Sequence, residues 1–113
     1  RSFALICDDP DAPAKVWVHW LAYNIPASAT GLPQGVQDAE VLPDGTRQGR
    51  NDSGTIGYSG PYPPPGKPHR YFFKLYALDT LLMFEGRLTK EALLRKMEGH
   101  VLAEASLMGT YQR

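Results

Sequence analysis

Residues 58–71 read YSGPYPPPGKPHRY and hold five of the chain's ten prolines. Proline fixes φ and supplies no backbone N–H, so this stretch is neither helix nor central strand. It is a stiff, shaped loop, and rigid loops on a scaffold are where binding residues concentrate. At its end His69-Arg70-Tyr71 opens the aromatic run RYFFKLYALD over residues 70–79. That run is a strand. Extended geometry from His69 onward puts His69, Tyr71, Phe73 and Leu75 on one face. The loop therefore delivers a histidine and a tyrosine together to one end of a sheet.

Working outward, more strands appear. Residues 2–8, SFALICD, are apolar and end in an Asp/Pro cluster, which predicts a strand buried on both faces. The cluster itself, Asp8-Asp9-Pro10-Asp11-Ala12-Pro13, is a turn by composition. Residues 16–25, VWVHWLAYNI, are β-branched and aromatic. Strict alternation there puts Trp17, His19, Leu21, Tyr23 and Ile25 on one face and Val18, Trp20, Ala22 and Asn24 on the other. Between Pro26 and Asp52 the chain is irregular, with Asp44-Gly45 as a hairpin-type turn after a short strand at Glu40-Val41-Leu42.

One helix is predicted, over residues 89–98. Thr89 is its N-cap, Glu91 lies in the first turn, Leu88 and Leu93 form a hydrophobic staple, and Gly99 is the stop. Residues 101–111 return to period two, with Val101, Ala103, Ala105, Leu107, Gly109 and Tyr111 as the apolar face. Several strands, long proline-rich connections and one late helix make a mainly β domain of the sandwich type.

The totals bound the function. A chain of 113 residues suits a single domain, and zero formal net charge argues against a general nucleic-acid or anionic-membrane surface. No apolar run reaches the roughly 20 residues of a membrane span, and no signal-peptide pattern opens the sequence. The single cysteine, Cys7, cannot form an internal disulfide and reads as a small buried residue. One cysteine fits a reducing, cytoplasmic setting; a periplasmic or secreted one follows instead if a leader was removed.

The candidate chemistry is spread along the chain. Asp8, Asp9 and Asp11 are turn formers or functional carboxylates at the end of a buried strand. No further acidic residues recur at calcium-loop spacing, and the His and Cys spacing makes no zinc set. No cofactor motif is present. His19 lies between aromatic residues, as a core histidine or a ligand-binding one, and His100 reads as surface or structural. His69, Arg70 and Tyr71 supply donors suited to phosphate or carboxylate. Gly57-Tyr58-Ser59-Gly60 is not a nucleophile elbow, because Pro61 forbids the helix that should follow. A hydrolase using the Asp/His cluster is thus the weakest reading, and a non-enzymatic binding role the preferred one.

Together the motifs Asp9-Pro10-Asp11-Ala12-Pro13, Trp17-Val18-His19-Trp20, Gly57-Tyr58-Ser59-Gly60-Pro61 with Pro63-Pro64 and Gly66, and His69-Arg70-Tyr71 resemble the phosphatidylethanolamine-binding protein family, which includes Raf-kinase-inhibitor-like proteins. Asn51-Asp52-Ser53-Gly54 and Leu32-Pro33-Gln34-Gly35 resemble its shorter prokaryotic branch. The resemblance implies a β-sandwich with a small anion pocket at one end, over residues 1–113 as one domain without the family's N-terminal segment. Asp9, Asp11, Trp17 and His19 would furnish one wall; Gly60, Pro61, Pro63, Pro64, His69 and Tyr71 the other. The histidines and the Tyr71 hydroxyl would donate to the anion, backbone N–H groups near Gly60 would add donors, and the carboxylates would hold a histidine in its donor form or take a ligand amine.

The implied partners are a phosphate, phosphoethanolamine or carboxylate ligand or a phospholipid headgroup. Inhibition of a protein kinase or protease through the pocket-edge loops is the alternative. The eukaryotic members' C-terminal helix has no equivalent after Gln112, which implies a more open pocket and suits a homodimer.

Overall fold

The computed structural model describes residues 1–11, 16–28, 41–58, 68–82 and 89–111. Five strands and one helix follow in the order β1 (Ser2–Asp9), β2 (Trp17–Pro26), β3 (Arg47–Gln48), β4 (His69–Leu78), α1 (Lys90–Met97) and β5 (Val101–Tyr111). The strands form one antiparallel sheet in the order β3-β2-β1-β4-β5. The architecture is mainly β with one short helix, as the sequence predicts.

β1 is the central strand. Ala4, Ile6 and Asp8 point to one face and are buried, while Phe3 and Leu5 on the other are half-buried. The core lies on the first face, where Ala4, Ile6, Val18, Leu21, Tyr23, Leu78 and Leu82 meet Leu93 and Met97 of α1. Leu93 and Met97 are one helical turn apart, so a single stripe of this short helix faces the sheet. Thr89 caps it as expected, its hydroxyl accepting from the Ala92 N–H at 3.3 Å. Beyond the Glu98 cap, Gly99 takes φ of 81°, and the chain turns into β5.

The alternation expected for β2 fails at two places: between Ala22 and Ile25, where Asn24 takes φ of 54°, and between Val18 and Trp20. The second failure is informative. Opposite β1, Leu21 pairs with Ile6 and Trp20 with Cys7, but Asp8 pairs with Val18. His19 has no counterpart on β1. It is the extra residue of a β-bulge, and a bulge resets the parity of every side chain beyond it. Val18 therefore joins Leu21 and Tyr23 in the core, and Trp20 lies on the face opposite to Val18. The neighbouring edge holds this arrangement. Asp52 Oδ2 accepts from the Val18 N–H at 2.7 Å, and the Asp52 N–H donates to the Val18 carbonyl at 2.8 Å.

The predicted turn at Asp44-Gly45 is present, with Gly45 at φ of 93° and Asp44 Oδ1 accepting from the Thr46 N–H at 2.9 Å. Val41 makes a single bridge to Arg47 in place of a strand. β5 differs more. Its period-two pattern predicts one apolar face, yet residues 101–110 are exposed on both sides, Leu102 at 68% and Leu107 at 71%.

Cys7 is buried, as predicted. Burial, then the charges of Asp8 and Asp9, pushes its thiol up to about 12 from 9.0. Native protein should therefore resist iodoacetamide at pH 8 and react fully once unfolded in urea, with mass spectrometry as the readout. The sign for stability follows from the raised value. The contribution is complete below about pH 9 and is lost as pH rises toward about 12, because the unfolded thiol ionises first.

Candidate functional site

Parity on β1 and β4 builds the site. Cys7 and Asp9 project from the face of β1 opposite the core, and His69, Tyr71 and Phe73 project from the same face of β4, with Cys7 opposite Phe73. His69 Nδ1 lies 2.7 Å from Asp9 Oδ2. Against a carboxylate, Nδ1 carries the proton of that contact, so Nε2 stands on the far side of the ring. The bulge then brings His19 to the same face, where its ring meets Tyr71 edge-on at 5.1 Å between centroids. Asp9, His19 and Tyr71 are each 5% exposed or less. Two imidazoles, a phenol and a carboxylate are thus gathered at one end of the sheet.

Trp17 stands opposite Asp9 in the ladder, next to this group. Asp11 is placed differently. Its carboxylate accepts from the backbone N–H, Nε and Nη2 of Arg70, each at 2.9 Å, and its own N–H donates to Asp9 Oδ1 at 2.8 Å. Arg70, first through its side chain and then through its backbone, holds the Asp11 carboxyl down to about 2. Gly60, Pro61, Pro63 and Pro64 lie outside the described residues.

Three aromatic residues outside the expected pocket walls complete the neighbourhood. Trp20 meets Tyr58 edge-on at 5.6 Å, and Tyr58 lies 6.5 Å from Phe73. The Trp20 Nε1–H donates to Gln48 Oε1 at 2.7 Å, which fixes the indole against β3. Asn51 shapes the approach to Tyr58. Its Nδ2 donates to Thr55 Oγ1 and to the Gly57 carbonyl, both at 2.9 Å. Among the described residues, no three of His, Cys, Asp and Glu converge as a metal-binding group.

A family model described as phosphatidylethanolamine-binding protein matches residues 1–112. The chain belongs to this family. It is 63% identical over 113 residues to a UPF0098 protein of Methanothermobacter thermautotrophicus, covering all of this chain and 74% of that one. A UPF0098 protein of Chlamydia muridarum is 48% identical over 118 residues, with the same coverages. Two crystal structures align over the whole chain and 72% of their own length, each with a TM-score of 0.88. One is a putative phosphatidylethanolamine-binding protein homologue of Chlamydia trachomatis at 42% identity. The other is Escherichia coli YbcL, described as a new member of the mammalian family, at 39%. Asp9, Trp17, His19, His69 and Tyr71, from three separate stretches of the sequence, thus lie together at one end of the sheet, with Asp11 turned to Arg70 beside them. No helix is long and apolar enough to cross a membrane among the described residues.

Proposed function

We propose that this family member is a non-enzymatic binding protein whose pocket takes a small phosphate- or carboxylate-bearing ligand. The observation that carries the reading is the Asp9–His69 contact of 2.7 Å beside the His19–Tyr71 ring pair, all on one buried face. Asp9 holds Nδ1, which presents the other side of the His69 imidazole as the binding edge. Tyr71 and His19 add a hydroxyl and a second imidazole within one strand step. Charge-assisted bonds from such donors to an oxyanion are short and strong in a water-poor site. Among the described residues the thiol on this face, Cys7, is pushed up to about 12 by burial and is not activated, which favours binding over turnover.

The test is a titration of the protein with inorganic phosphate, phosphoethanolamine and acetate, read by NMR. Shift changes are expected at His19, His69 and Tyr71 and should vanish in His69→Ala. Phosphoethanolamine binding above phosphate indicates a lipid headgroup; equal response indicates the free anion. Signals that stay unmoved at saturating anion would refute the reading, and recovery of phosphate from a phosphoester would refute its non-enzymatic part.

A further inference from the structure

We propose that Asp11 and Arg70 are positioning residues that select the tautomer of His69. Consecutive residues on a strand face opposite sides of the sheet. His69 points to the Asp9 side, whereas Arg70 lies over the ring of Phe72, 5.6 Å from its centroid. The corner Asp9-Pro10-Asp11 grips both. Asp9 holds His69 on one side, and Asp11 takes three hydrogen bonds from Arg70 on the other. The Asp11 N–H bond to Asp9 Oδ1 joins the two grips. A closed ring results: Arg70 to Asp11, Asp11 to Asp9, Asp9 to His69, and back through the His69–Arg70 peptide.

Stability alone gives this ring little to do. The Arg70 side chain is 53% exposed, and exposed ion pairs add little to folding free energy. Geometry is what it fixes. The guanidinium fork meets the carboxylate with two parallel bonds, which sets the plane of Asp11 and with it the corner. Asp9 is thereby aimed at Nδ1 and not at Nε2. Because Arg70 keeps the Asp11 carboxyl near 2, the clamp stays ionised throughout the range in which histidines change charge.

The experiment reads the ring nitrogens of His69 by 15N NMR in the ligand-free protein, so it does not depend on any ligand. Wild type should show one tautomer, protonated at Nδ1. Arg70→Gln and Asp11→Asn should stay folded and show a mixture. Arg70→Lys restores the charge but not the fork and should resemble Arg70→Gln. The consequence for affinity rests on the binding reading above: phosphate should bind about tenfold more weakly to these variants, as for other residues that orient a ligand-holding histidine. A wild-type nitrogen pattern in both Arg70→Gln and Asp11→Asn would overturn the proposal. So would full rescue by Arg70→Lys, or outright unfolding of Asp11→Asn. A tautomer mixture in the variants, with no phosphate response in wild type, would support the clamp and sink the binding reading instead.

Discussion

Deleting His19 is expected to leave the chain folded and to abolish phosphate binding. Removing a buried residue from a strand next to the central one ordinarily slips the register and turns core side chains outward. Here the slip has already been taken up. Trp20 opposes Cys7 and Val18 opposes Asp8, so excising the residue between them produces a continuous ladder from Leu5 to Asp9, with Val18 and Leu21 still in the core. What disappears is the bulge and the imidazole it aims. The lost ring contact with Tyr71 costs about 1 kcal/mol, so the unfolding midpoint in urea should move little. Deleting Leu21 is the contrasting case. The healed strand then puts Trp20 opposite Ile6, in the space Leu21 fills, and overpacks the core. His19→Ala keeps the bulge and should weaken binding without changing the fold. If the His19 deletion unfolds while His19→Ala remains native, the bulge is structural and not a device for the site.

The bulge also marks where the sequence stopped being sufficient. Aromatic and β-branched runs made four strands readable, and Thr89 with Gly99 framed the helix. Parity within residues 16–25 was not readable. Leu21-Ala22-Tyr23 is apolar on both faces, so no polar residue signals the change of phase. A spacing of three between Val18 and Leu21 was the available hint. The site was legible as motifs but not as contacts. Asp9 and His69 are 60 residues apart, and nothing local says that one holds the other. In the sequence Arg70 groups with His69 and Tyr71 as an anion donor, but a strand residue next to His69 must face away from it, and the Arg70 guanidinium donates to Asp11 instead. Asp8 was read with the turn, although counting from Ala4 and Ile6 places it on the core face. β5 was legible as a strand from its period-two pattern, but its exposure on both faces among the described residues was not.

Asp8 leads to the last expectation: replacing Lys74 and Lys90 together with Met should cost far more than the two single changes added. Asp8 is 1% exposed. Its Oδ2 accepts from Lys90 Nζ at 3.0 Å and from Lys74 Nζ at 3.3 Å, while Oδ1 has no hydrogen-bond partner among the described residues. Either lysine alone still compensates the carboxylate, so each single change should cost about 1 kcal/mol, the usual size for one point mutation. Removing both leaves a buried charge with no counter-ion, a loss of about 3–5 kcal/mol. Lys90 is the stronger of the two, being closer and less exposed, and its ion pair ties the first turn of α1 to the sheet. Asp8→Leu is the asymmetric control. It removes the charge that needs compensation, and both lysines can swing their ammonium groups to water while their stems stay packed. That variant should be nearly as stable as wild type in urea. A double-mutant cycle in which the lysine effects simply add would mean that Asp8 finds a third donor, and that α1 is held by Leu93 and Met97 alone.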